Sequence, residues 1–296
     1  MRVCDEGQKV ADSLRLFSSH LADRFTKCGQ DFVVLECNNC KRLHTLSIDC
    51  GLRICDVCTR KRWSKLNKKY SPLVKSRNIR QLSLLTLTIK NLLSLDSKVI
   101  RNLIEHFVNF RRRSYVKKRL LGGLWCMEIK GTKGNYNLHI HCIIEHKWFG
   151  RPSKQEAKQI QIPERLNETK NIRSKDDLVQ YVGKDIGQIT LSAIWENLTG
   201  DPVIDVRRIK SAKDALRYVL KYVTKPPDLE APEDYVEFLI SFFGIPMLKT
   251  FGSWFHAVIL IKPRLICYQC NSSSWTVIMF SWQENVFHDA SQARSP

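Results

Sequence analysis

The sequence predicts an α+β protein: an antiparallel sheet with helices, preceded by a small cysteine-rich module near the N-terminus. Three observations carry the prediction. Residues 137–145 alternate apolar and polar side chains with the period of a strand and follow a glycine-containing hairpin loop. Residues 211–225 place Ala212, Ala215, Leu216, Val219, Leu220 and Val223 on one stripe at helical spacing. Cys37-x-x-Cys40 and Cys55-x-x-Cys58 are separated by fourteen residues, and two such knuckles can complete a tetrahedral S4 zinc site.

Size and charge bound the function. The 296 residues suffice for a buried core, and composition divides them into a leader at 1–72, a main domain at 78–227 and a C-terminal helical appendage with a tail at 228–296. Lysine and arginine number 48 against 29 acidic residues, a net charge of +19 that directs the protein toward a polyanion. A membrane surface is the weaker candidate. Residues 1–10 have no apolar signal-like core, and the apolar runs at 238–248 and 251–261 are too short and interrupted to span. Eleven cysteines without a secretion signal fit a reducing compartment, hence the cytoplasm, and favour metal binding over disulfides.

Residues 1–27 carry a helical pattern. In the cysteine-rich stretch that follows, Cys37, Cys40, Cys55 and Cys58 are the expected zinc ligands, with Cys50 or His44 able to replace one of them. A basic helix comes next, and Arg60, Lys61, Arg62 and Lys65 would face phosphates. Its bland alternative is a solvated charged helix. Residues 82–89 read as a strand with Leu85, Leu87 and Ile89 on one face and Thr86 and Thr88 on the other. Asp96 or Ser97 caps a helix that ends in Arg111, Arg112 and Arg113, cations that complement a helix dipole and also suit a second phosphate contact.

Gly122 and Gly123 are expected to stop that helix before a strand at 124–130, whose polar face carries Cys126, Glu128 and Lys130. In the next strand, His139 and His141 project from one face, where two imidazoles two residues apart can share a divalent cation. If Gly131 pairs opposite Tyr136, Glu128 falls across from His139 and supplies a carboxylate; a slip of one residue would turn it away. Residues 147–175 read as a long mobile connection, followed by helical segments at 176–184 and 188–198 and a strand at 203–209. Ser211 with Asp214 caps the helix that presents Tyr218, Lys221, Tyr222 and Lys225 outside its apolar stripe. Such tyrosines are more often core aromatics, but their lysine neighbours weaken that reading. Cys267-x-x-Cys270 is a lone knuckle that might take Cys4 or Cys28 as partner, and 285–296 read as disordered.

A His-hydrophobic-His strand followed downstream by Tyr-x-x-Lys-Tyr-x-x-Lys resembles the HUH endonuclease superfamily of rolling-circle replication initiators, whose relatives include single-strand DNA transposases and plasmid relaxases. Residues 84–88, 138–141 and 218–225 resemble its three motifs in order. The tyrosine pair resembles the two-tyrosine initiators of phages and plasmids, and the cysteine-rich start resembles their zinc-binding leader. The resemblance implies a ferredoxin-like (RRM-like) antiparallel sheet with helices on one face, formed by a βαββαβ core at 78–227. It also implies a DNA nicking and joining activity through a 5′-phosphotyrosine. Tyr218 or Tyr222 would attack, Lys221 and Lys225 would stabilise charge, and His139, His141 and Glu128 would hold Mg2+ or Mn2+. The partners implied are single-stranded and origin DNA, with a host polymerase and helicase. Two readings compete: a transposase with the same chemistry, and a zinc-containing nucleic-acid-binding protein without catalysis.

Overall fold

The computed structural model describes residues 5–224, 227–255, 257, 265–282 and 286–289. Two helices, α1 (Asp5–Phe17) and α2 (Ser19–Thr26), lead into strands β1 (Phe32–Cys37) and β2 (Leu43–Ser47) and the long helix α3 (Asp56–Lys75). Then follow β3 (Leu82–Thr88), α4 (Ser97–Arg112), α5 (Ser114–Lys117), β4 (Leu120–Gly131) and β5 (Asn137–His146). Short helices α6 (Lys154–Ala157), α7 (Glu164–Lys170) and α8 (Lys175–Gln180) precede α9 (Ile186–Thr199), β6 (Ile204–Arg208) and α10 (Ala212–Thr224). The chain continues through β7 (Asp228–Leu229), α11 (Pro232–Ser241), β8 (Leu248–Gly252), β9 (Trp275–Trp282) and β10 (Val286–Asp289).

These elements form two compact units, 63–259 and 1–62 with 260–296. The division differs from the one read in the sequence. Residues 228–296 are not a separate appendage: β7 and β8 extend the sheet of the larger unit on β4, while β9 and β10 join β1 and β2 in the smaller one. Backbone pairing over long sequence separation decided this, and local composition carries no trace of it. Of the tail 285–296, residues 286–289 form β10, and the rest lie outside the described residues.

In the larger unit the order β6-β3-β5-β4 is that of a βαββαβ ferredoxin-like core, with every neighbour antiparallel. The α+β class is therefore as the sequence predicts. Alternation gives β4 and β5 two apolar faces. Leu138, Ile140, Cys142 and Ile144 are fully buried on one of them, where Phe107 of α4 meets Trp125 edge to face at 5.9 Å and Phe110 meets Trp195 of α9 at 5.8 Å. The opposite face holds Leu124, Cys126 and Ile143, against which Leu216, Val219 and Leu220 of α10 and Tyr70, Leu73 and Val74 of α3 pack. That second face also carries the histidines, so α10 is drawn to them by its apolar stripe.

Three expectations change. Gly122 and Gly123 do not end a helix but lie inside β4, because a Cβ on Gly123 would meet the Ile143 carbonyl oxygen at 2.3 Å and one on Gly122 would meet Ser253 Oγ at 2.6 Å. Residues 147–175 are not a mobile connection: Ser153 and Glu156 form a capping box, Asn171 ends α7 in the left-handed region at φ 53°, and Ile160, Leu166 and Ile172 are buried. The stretch 238–261 is only partly helical, since α11 ends at Ser241 and Leu248–Gly252 pairs with β4.

Candidate functional site

The β4–β5 hairpin sets the site's geometry. Its loop turns through Gly131 at φ 97° and Gly134 at φ 89°, and Tyr136 anchors the second strand by donating its hydroxyl to Glu237 at 3.1 Å and to Asp234. The resulting register pairs Lys130 with Asn137 and Glu128 with His139, the alignment required to put the carboxylate beside the imidazoles. His139 and His141 share one face, ring centres 5.7 Å apart. Glu128 Oε2 lies 2.8 Å from His141 Nε2, and Lys130 Nζ lies 3.3 Å from Glu128 Oε1.

Two neighbours to which sequence reasoning assigned no role complete the arrangement. Strand β3 runs on the other side of β5 and sets Thr86 across from His141 and Thr88 across from His139. Thr86 Oγ1 lies 3.1 Å from His141 Nδ1, and Thr88 Oγ1 lies 2.8 Å from His139 Nδ1. With Nδ1 engaged by a hydroxyl, Nε2 of each ring is the nitrogen left for a ligand. The legible signal was alternation, which already put both threonines on the polar face of β3; missing was the knowledge that β3 and β5 are neighbours.

Burial, and after it the adjacent His141, hold His139 below the ordinary imidazole range, which favours the neutral ring that binds a metal. For Glu128 burial acts upward, but the His141 hydrogen bond and the charges of His141 and Lys130 outweigh it and hold the carboxyl below its usual value. Two imidazoles and an ionised carboxylate on one face are a donor set that suits a divalent cation.

Helix α10 brings the tyrosines. Ser211 accepts from the Asp214 amide at 3.4 Å and starts the helix, and Cys126 Sγ donates to the Val219 carbonyl at 3.3 Å, tying α10 to β4. Tyr222 stacks on His141 with centroids 3.9 Å apart and 12° between planes. Tyr218 meets His141 edge-on at 5.7 Å and Tyr222 at 5.1 Å. Burial, then the neighbouring Tyr218 and Glu128, push the Tyr222 phenol above its ordinary range. Lys221 is exposed, its ammonium 5.7 Å from the Tyr222 ring centre, and Lys225 lies outside the described residues.

The basic residues divide. Arg60, Lys65 and Arg112 are exposed, whereas Lys61 bonds Asp49 at 2.6 Å and Arg62 donates to the Gly51 carbonyl at 3.1 Å, both bracing the cysteine module. Arg113 is half-buried at the start of α5. Arg111 is not turned outward as a phosphate contact would require: its guanidinium sits 4.9 Å from the Phe107 ring centre and 4.5 Å from that of Phe251.

The four cysteines grouped by sequence do not meet. Cys55 and Cys58 join Cys28 and Cys50, while Cys37 and Cys40 join Cys267 and Cys270, and within each tetrad the sulfurs lie within 4.8 Å of one another. Both tetrads can hold a metal ion such as zinc. Cys50 is thus in a ligand set and His44 is in neither; Cys28 is not the partner of Cys267, and Cys4 lies outside the described residues. In the first tetrad the Cys50 amide donates to Cys28 Sγ at 3.3 Å and the Gly51 amide to Cys58 Sγ at 3.2 Å. The Cys50 thiol, and against burial the Cys58 amide, push Cys55 down to about 5. Among the described residues, these are the two His, Cys, Asp or Glu clusters drawn this tightly together; the trio of His139, His141 and Glu128 is looser.

Residues 82–227 match the family model named for the replication-associated protein ORF2. The match supports a replication initiator and implies interaction with DNA. It starts at β3 and ends just past α10, so it takes in Thr86, Thr88, the histidines and the tyrosines together. No curated protein and no solved structure matches the chain. Among the described residues no helix is long and apolar enough to cross a membrane.

Proposed function

We propose that this protein nicks and rejoins single-stranded DNA at an origin through a 5′-phosphotyrosine, starting rolling-circle replication of a plasmid or phage. The observation that carries the reading is the contact of Tyr218 and Tyr222 with His141, which puts two phenols beside a donor set for a divalent cation.

His139, His141 and Glu128 would hold Mg2+ or Mn2+, with Thr88 and Thr86 fixing the ring orientations through Nδ1. A divalent cation in such a site neutralises charge building on the scissile phosphate. One phenolic oxygen attacks phosphorus; the new P–O bond forms as the bond to the 3′ oxygen breaks, and that oxygen leaves with a proton as a free 3′-OH. A host polymerase can extend that end while a host helicase opens the duplex. The phosphotyrosyl ester keeps the energy of the phosphodiester, so a 3′-OH can later reverse the step without ATP. Loss of the phenolic proton is the demanding part, because burial holds Tyr222 above a range already far from neutral. Lys221 offers a nearby positive charge that favours phenolate. The second tyrosine permits a second attack that closes the round. In the smaller unit, Cys28, Cys50, Cys55 and Cys58 hold one structural zinc at the head of α3.

The test incubates the protein with single-stranded oligonucleotides from its own replicon and Mn2+. A covalent protein–DNA adduct is expected, prevented by EDTA and abolished in His139→Ala and His141→Ala. Cleavage that persists in the Tyr218→Phe, Tyr222→Phe double variant rejects tyrosine as the nucleophile.

A further inference from the structure

Two turns in the smaller unit, far apart in sequence, have the same build. In the first, the Lys41 amide donates to the Cys37 carbonyl at 2.9 Å and the Cys37 amide donates to the Arg42 carbonyl at 2.8 Å. In the second, the Asn271 amide donates to the Cys267 carbonyl at 2.8 Å and the Cys267 amide donates to the Ser272 carbonyl at 2.8 Å. Each turn then passes through a left-handed residue directly after its second cysteine, Lys41 at φ 59° and Asn271 at φ 56°. Side chains other than glycine adopt that backbone region uncommonly, so its repetition after both Cys-x-x-Cys pairs marks one turn type used twice.

The sulfurs face each other. Cys37 and Cys270 stand 3.5 Å apart, and so do Cys40 and Cys267. A disulfide would need about 2.05 Å. A ZnS4 tetrahedron with bonds of about 2.3 Å has edges of about 3.8 Å, close to the observed spacing. The surroundings lock the two turns together: Arg42 lies 3.9 Å above the Tyr268 ring and donates to Gln269 Oε1 at 3.1 Å, while Asn38 donates to Ser274 Oγ at 2.7 Å and accepts from Thr276 Oγ1 at 2.7 Å. Strand β1 pairs on one side with β2 and on the other with β9, placing Cys37 opposite Trp275.

We propose that Cys37, Cys40, Cys267 and Cys270 bind a zinc ion of their own, so that the protein carries two zincs and its smaller unit is a split ribbon. Its two knuckles are separated by 227 positions from Cys40 to Cys267, with the whole larger unit inserted between them. The metal is then the clasp that makes the N-terminal strands and the C-terminal strands one module. The module is complete only when both segments are present. This inference is independent of the nicking chemistry.

Native mass spectrometry and elemental analysis of the full chain test it. Two zincs per chain are expected, falling to one in Cys267→Ser, Cys270→Ser. A single zinc in the unaltered chain, two zincs retained in that variant, or a disulfide between any two of the four cysteines overturns the proposal. Because serine variants can unfold the module, Cys270→His is loaded with Co2+ alongside the unaltered chain. The expected result is two ions in each, with half of the visible spectrum in Cys270→His moved from the pattern of four sulfur ligands to that of three sulfurs and one nitrogen; an unchanged spectrum overturns the ligand assignment.

Discussion

Tyr222 lies flat on His141, ring centres 3.9 Å apart and planes within 12°, while the far nitrogen of the same imidazole meets Glu128 at 2.8 Å. One ring therefore joins the aromatic helix to the carboxylate of β4. Tyr218 stands edge-on to both rings.

That asymmetry separates the tyrosines. Tyr218→Phe is expected to reduce first-strand adduct formation on a single-stranded oligonucleotide by about 10²-fold or more, the scale of losing a nucleophile. Tyr222→Phe removes the hydroxyl but keeps the stack, so it should spare the first adduct more than Tyr218→Phe does and impair strand rejoining. Gel analysis of adduct and rejoined product checks this; equal loss of the first adduct in both variants contradicts it.

The threonines of β3 should matter for metal affinity without touching the metal. Thr88→Val keeps the shape but removes the hydroxyl 2.8 Å from His139 Nδ1, and Mn2+ binding is expected to weaken about 10–100-fold. Thr88→Ser restores the oxygen and should recover most of the affinity. Calorimetric titration with Mn2+ reads the difference, and a Val variant that binds like the unaltered protein rules out the positioning role.

Glu156 links stability to pH. It is 3% exposed and accepts from Arg119 at 3.0 and 3.2 Å and from the Ser153 amide at 2.8 Å. Burial acts upward on this carboxyl, but the Arg119 hydrogen bonds, the Ser153 amide and the cations outweigh it and bring it down to about 2, from an ordinary 4.5. A carboxyl depressed on folding contributes stability that is present above the ordinary value and is lost as pH falls from 4.5 toward 2. Urea unfolding at a series of pH values should show Glu156→Gln less stable than the unaltered protein at neutral pH, with the gap narrowing through that window. A gap independent of pH contradicts the assignment.

Phe107 is fully buried and holds Trp125, Phe251 and Arg111 around it. Phe107→Ala is expected to cost about 3–5 kcal/mol, read from the shift in denaturant midpoint. Because Phe107 packs on the sheet face away from the histidines, any folded fraction should keep its Mn2+ affinity. A loss below about 1 kcal/mol would mean that the neighbours collapse into the gap.

Short-range order was legible in the sequence wherever a period or a local turn decides it. Alternation put His139, His141, Glu128, Thr86 and Thr88 on polar faces, the hairpin glycines aligned Glu128 with His139, and the helical stripe of 212–223 left Tyr218 and Tyr222 beside it. Long-range choices were not legible. Gly122 and Gly123 look like a helix stop until β5 and β8 are seen pressing on them, and Cys55 looks like the partner of Cys37 until β9 returns beside β1.

By itself, then, the sequence determined which residues are strand, helix and knuckle, and which side chains share a face, because those follow from each residue's own geometry and that of its near neighbours. Only the tertiary structure decided that β3 lies beside β5, that α10 packs on the histidine face, and that Cys267 and Cys270 close on Cys37 and Cys40. Such pairings depend on which surfaces fit when the chain folds back over hundreds of residues, and neither periodicity nor spacing encodes that choice.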